Sequence, residues 1–315
     1  MEPERCFDSR NTSCLKSSYP MPLHVTLYII FGVIIILTVC GNLLVTFSVA
    51  YFKQLHTLTN YLIFSLVMSD VLLGIIVMFP GMIRFIETCW YFGDFFCKVS
   101  ISSDITLSTA SILNLLFISV DRYYAVCQPL LYRSKISVNV VLILFLICWK
   151  LNILGVEEFY YKHVACEGGC VVFLSGVSST VSSVTNFYLP GIIMLCVYLK
   201  IYLVACRQFC SIQNAGCVNS VKTSNTSQTK ATKTLAIVMG GFLCFWTPFF
   251  VCNILSPFVS YSTPPKLYET LGFLNSAVNP MIYAFFYSWF RKAFKLLTSG
   301  NIFKSDISET TLFNE

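Results

Sequence analysis

The chain has 315 residues, of which 56% are hydrophobic and 11% charged, and a formal net charge of +6. A soluble domain is about 25% charged, so a disordered chain, a nucleic-acid-binding domain and an ordinary cytosolic enzyme are excluded. Seven membrane spans of about 25 residues each fill most of this length and leave no room for a large domain outside them.

Residues 1–22 form a polar tail in which Asn11-Thr12-Ser13 is a glycosylation acceptor. The first apolar run, 23–52, is too long for a signal-peptide core and has no small-residue cleavage site before it, so it reads as a signal anchor. Further runs follow at 61–83, 96–127, 138–156, 171–205, 234–259 and 267–287. The fourth is the shortest and carries Lys150 and Asn152. Residues of about 207–232 form the third cytoplasmic loop, and 288–297 read as a short amphipathic helix opening the tail 288–315. The fold class is therefore an all-α membrane protein. A seven-transmembrane-helix bundle, 23–287, is followed by a short amphipathic eighth helix. No run alternates with the short period of a membrane β-barrel.

With the N-terminus outside, eight of the 21 Lys and Arg fall on outer segments and thirteen on inner ones. That excess predicts a multi-pass plasma-membrane protein with an extracellular N-terminus and a cytoplasmic C-terminus. The basic balance belongs to the inner face, where it suits anionic membrane lipid and a cytosolic partner and not nucleic acid. Six of the 15 cysteines fall on the outer side: Cys6, Cys14, Cys89, Cys97, Cys166 and Cys170. An even number in an oxidising compartment predicts up to three disulfides. A second acceptor motif, Asn225-Thr226-Ser227, falls inside and is discounted.

Two carboxylates lie within spans, and an ionisable group there is costly. Asp104 is seven residues after Cys97, about 10 Å down the third helix; a protonated amine from outside would satisfy it. Asp70 lies deeper, where Ser111, Asn275, Ser276 and Asn279 could converge on it. Such a set suits a small hard cation, a water cluster or a purely structural polar network. Pro190, Pro248 and Pro280 each remove a backbone bond in mid-span and favour a kink. Asp121-Arg122-Tyr123 ends the third helix on the inside, so one helix of roughly 27 Å links an outer cation site to an inner arginine. That suits a signal carrier better than a catalyst. No metal or nucleophile constellation stands out, His24, His56 and His163 being scattered, and no internal repeat suggests a transporter.

These residues resemble rhodopsin-like G-protein-coupled receptors over nearly the whole chain. The matching motifs are Gly41-Asn42, LVMSD at 66–70, Cys97, Asp121-Arg122-Tyr123, Trp149, Pro190 with Tyr198, Phe242 with Trp246 and Pro248, and Asn279-Pro280 with Tyr283. Within that class the run NSAVNPMIYAFFYSWF at 275–290 is similar to the signature of trace amine-associated receptors. Stretches such as CWYFGDFFCK and FYYKHVACEGGC look closest to its type 1 subtype.

The resemblance implies a receptor for small primary aromatic amines such as phenethylamine or tyramine. The ammonium would pair with Asp104. The ring would pack against Trp246, Phe249 and Phe250, with Phe273 standing where a tyrosine is common. Ser182, Ser183 and Asn186 would bond a ring hydroxyl. It implies a sodium ion as an allosteric ligand at Asp70 and no other cofactor. A stimulatory heterotrimeric G protein acting through cyclic AMP would be the partner, reached by rearrangement of Arg122, Tyr198 and Tyr283 as span 6 swings at Pro248. It also implies a Cys97–Cys170 bridge, with Cys6 or Cys14 joined to Cys166 or Cys89. The chain departs from the pattern at span 4, where Lys150-Leu151-Asn152 follow Trp149 without a proline, and where about a dozen residues before Cys170 are missing. Thr270 stands where a tryptophan is common, Glu269 falls near the pocket mouth, and Pro80 comes one position later than usual. These changes carry the alternative reading of a degenerate or non-responsive receptor-like protein. A receptor for another biogenic amine is a further alternative.

Overall fold

The computed structural model describes residues 4–7, 12–16, 19–128, 166–170, 176–214, 222–255, 265–286 and 288–299. Among the described residues, five helices are long and apolar enough to cross a membrane: Met21–Tyr51, Leu58–Glu87, Gly93–Cys127, Thr180–Arg207 and Ala236–Leu255. They carry spans 1, 2, 3, 5 and 6. Span 7 is the helix Pro265–Phe286, and Ser288–Thr298 is the amphipathic helix. Span 4, with Trp149 and Lys150, and the acceptor Asn11 lie outside the described residues. The helices flanking the third loop reach well into its expected range, ending at Asn214 and starting again at Lys222.

Each helix forms because an apolar segment in lipid must satisfy its backbone internally. Buried hydroxyls are satisfied the same way: Thr38, Ser48, Ser69 and Ser119 each donate to the carbonyl four residues earlier. Thr57 caps span 2 by accepting from the Asn60 N–H. The apolar residues divide by face. Ile29, Ile36 and Phe47 of span 1 are exposed where lipid would lie, while Val45, Leu66, Ile112, Leu115, Met194 and Tyr283 fill the interior.

Spans 2 and 5 are not regular. Leu73–Met78 and Val184–Tyr188 are π-helical turns, each of which admits an extra residue. The first lies just before Pro80, where the sequence departs from the family pattern by one position. At the opposite end from Arg122, three disulfides gather: Cys6–Cys89, Cys14–Cys166 and Cys97–Cys170. Backbone bonds bind the same segments. Cys14 N donates to Glu167 O at 2.9 Å, Glu167 N to Thr12 O at 3.0 Å, and Trp90 N to Gly168 O at 2.8 Å. Gly168 has a φ of +87° and sits where a Cβ would lie 2.9 Å from Cys6 Cβ, so no other residue suits that turn.

Candidate functional site

Asp104 is half-buried on span 3, seven residues below Cys97, and accepts a hydrogen bond from Ser108 Oγ at 3.3 Å. The Cys97–Cys170 bridge closes this end, and Arg84 of span 2 donates to Cys170 O at 3.0 Å. The helix register thus places the carboxylate between the disulfide cap and the polar interior.

Span 6 carries an aromatic cluster. Trp246 has ring centroids of Phe249 and Phe250 at 5.8 Å, Phe273 at 6.2 Å and Phe242 at 6.3 Å. Edge and tilted contacts at these distances are favourable for aromatic rings. Phe250 stacks on Phe187 of span 5 at 4.4 Å. On span 5 Asn186 Nδ2 donates to Ser182 Oγ at 3.2 Å, while Ser183, the next residue along the helix, is buried. Ser182 and Asn186 therefore form one linked pair.

Asp70 is fully buried. It accepts from Ser276 Oγ at 2.7 Å, Asn279 Nδ2 at 2.9 Å and Ser111 Oγ at 3.5 Å. Asn275 does not join it: one residue on a helix is a turn of 100° away from Ser276, and Asn275 is buried without a bond to Asp70. Asn42 joins spans 1 and 7 nearby, donating from Nδ2 to Ser276 O at 3.0 Å and to Thr38 O at 2.8 Å. The Oδ1 atoms of Asn42 and Asn279 are buried and take no hydrogen bond from a described group. A buried carboxylate bonded to two serine hydroxyls and to Asn279, whose own amide oxygen is unsatisfied among the described groups, fits a small hard cation.

At the other end Asp121 is fully buried and accepts from Arg122 Nη2 at 2.6 Å, Arg122 Nε at 3.0 Å and Thr59 Oγ1 at 2.7 Å. Arg122 also donates to Thr59. Tyr198 packs against the buried core of the bundle and Tyr283 is fully buried. The arginine is thus folded back on its own helix. Pro248 and Pro280 lie inside their helices as expected.

The chain matches the family described as 7 transmembrane receptor (rhodopsin family) over residues 41–283. It is 48% identical to trace amine-associated receptor 1 of Macaca mulatta and 47% identical to that of Homo sapiens, covering 98% of both chains in each case. It is 42% identical to trace amine-associated receptor 4 of Rattus norvegicus, over 99% of this chain and 96% of that one. The chain belongs to the trace amine-associated receptors of the rhodopsin family. It is a multi-pass membrane receptor and not an enzyme. The macaque alignment runs over 332 positions against 315 residues here, so at least 17 positions of the relative have no counterpart in this receptor.

Two contributors escaped the sequence: Phe187 gave only an aromatic three residues before Pro190, and Thr59 read as an ordinary residue at a helix start.

Proposed function

We propose that this receptor recognises small primary aromatic amines, such as phenethylamine or tyramine, and signals through the stimulatory G protein to cyclic AMP. Asp104 carries the reading. An ionisable group inside an apolar span marks a functional site, and this carboxylate lies half-buried seven residues below the Cys97–Cys170 bridge, where an ammonium entering from that end can pair with it. The amine's ring packs against Trp246, Phe249, Phe250 and Phe273, where the face of an indole also favours a nearby cation. The linked Ser182–Asn186 pair, with Ser183, receives a ring hydroxyl where the ligand has one. Ligand binding favours one of two packings of the bundle, and span 6 moves at Pro248. Arg122, Tyr198 and Tyr283 rearrange around the inner face, which the G protein then occupies. A sodium ion held by Asp70, Ser111 and the amide oxygen of Asn279 would favour the resting packing. The three disulfides support an extracellular N-terminus, since such bridges persist in an oxidising compartment. On that topology Asn11 is open to glycosylation.

The test is a cyclic AMP dose response to phenethylamine and tyramine in cells expressing the full chain, with surface receptor counted by antibody. The expected outcome is a saturable rise. Asp104→Ala should lose potency by about 100-fold or more, as removing one partner of a buried charge pair costs about 3–5 kcal/mol. Surface-expressed receptor that answers no primary amine would overturn the proposal and favour the non-responsive reading. A response confined to other biogenic amines would move the ligand class.

A further inference from the structure

Span 7 passes Trp246 at a glycine. A methyl group on Gly272 would lie 2.7 Å from Trp246 Cε3, 2.8 Å from Cζ3 and 2.9 Å from Cδ2. Carbon atoms in contact sit at about 3.5–4.0 Å, so a side chain at 272 and the indole cannot both hold these places. The indole is buried, and the rings of Phe242, Phe249, Phe250 and Phe273 lie with centroids 5.8–6.3 Å from it. Behind Phe250 lies Phe187 of span 5, stacked at 4.4 Å. The indole is thus seated on the span 7 backbone at Gly272 and packed among these rings. In the same packing Arg122 is held by Asp121 and Thr59.

We infer that Gly272 is a positioning residue for Trp246. By carrying no side chain it gives the indole a seat on span 7, and that seat favours the packing in which Arg122 is engaged. A methyl there leaves the ring two ways to move: toward the Phe242, Phe250 and Phe187 cluster, or outward with span 6 away from span 7. Close-packed interiors switch between discrete arrangements and do not deform smoothly. Either movement therefore weakens the resting arrangement and raises signalling without ligand. Gly41 supplies the comparison. A methyl there would lie 2.8 Å from Pro280 Cβ and 2.9 Å from Cγ, an equal crowding of span 7 that does not touch Trp246.

The inference rests on the receptor fold and does not depend on the ligand class or on the stimulatory partner. The experiment is therefore ligand-free nucleotide exchange on membranes holding the full receptor, measured with one purified Gα from each major class and scaled to surface receptor. Gly272→Ala is expected to raise exchange about fivefold, the response to a modest shift between two states. In a Trp246→Leu background, which lacks atoms at Cε3 and Cζ3, the same substitution should raise nothing. Gly41→Ala should not raise exchange in either background. Unchanged exchange in Gly272→Ala with every Gα, or a rise that persists in the Trp246→Leu background, would overturn the inference. If Gly272→Ala alone does not reach the surface, the double variant decides: restored delivery supports the seat, and continued loss overturns it.

Discussion

Two serines face Asp70 at different distances, and the difference has a measurable consequence. Ser276 Oγ lies 2.7 Å from the carboxylate and Ser111 Oγ 3.5 Å. The first is a strong hydrogen bond to a charged acceptor and the second is at the limit of contact. Ser276→Ala is therefore expected to lower the thermal midpoint of detergent-solubilised receptor by an amount equivalent to about 1.5–3 kcal/mol. Ser111→Ala should move it far less, and the gap between the two should shrink in an Asp70→Asn background. Equal shifts for both serines would show that the distances do not rank the bonds. Asp70 and most of its partners were legible because acids and amides stand out in apolar helices. Asn275 was placed with them by composition, but adjacent positions on a helix point apart. Phe187 was illegible for the opposite reason: rings are 16% of this chain, so one more carries no signal.

At the level of elements, hydropathy and length located the spans because lipid demands long apolar helices, and these are visible residue by residue. The π turns at Leu73–Met78 and Val184–Tyr188 were not visible. An extra residue in a turn changes which side chains share a face without changing composition. Glycines behave likewise, since identical residues in one helical sequence meet different surroundings. Gly240 of span 6 has nothing within 4 Å of where its Cβ would be, whereas Gly41 would meet Pro280. Gly240→Ala is expected to stabilise the receptor, since glycine in a helix costs roughly 0.5–1 kcal/mol relative to alanine. Gly41→Ala is expected to destabilise it by about 1–3 kcal/mol through overpacking. Thermal midpoints of opposite sign relative to the parent receptor would bear this out, and a shared sign would refute the packing assigned to one of them.

Across the whole molecule, one end is covalently gathered and the other is held by side chains. The gathered end joins the tail, the span 2 to span 3 turn and the loop that ends in Cys170. The bridges there differ in access. Cys97 and Cys170 are buried with Trp90 and Ile101, Cys89 is buried while Cys6 lies at the margin, and Cys14 and Cys166 are both partly exposed. The reactivity of a disulfide toward an external thiol depends on access to a sulfur atom. Graded reduction of intact cells with a membrane-impermeant phosphine, then alkylation and mass spectrometry, should label Cys14 and Cys166 first. Cys6 and Cys89 should follow, and Cys97 and Cys170 should react last. Labelling without permeabilisation would also place this end outside the cell, as the lysine and arginine distribution requires. Labelling only after permeabilisation would invert the topology, and with it the route by which an amine reaches Asp104. Simultaneous opening of all three bridges would mean that the cap yields as one unit, its backbone bonds between Thr12, Cys14, Glu167 and Trp90 failing together.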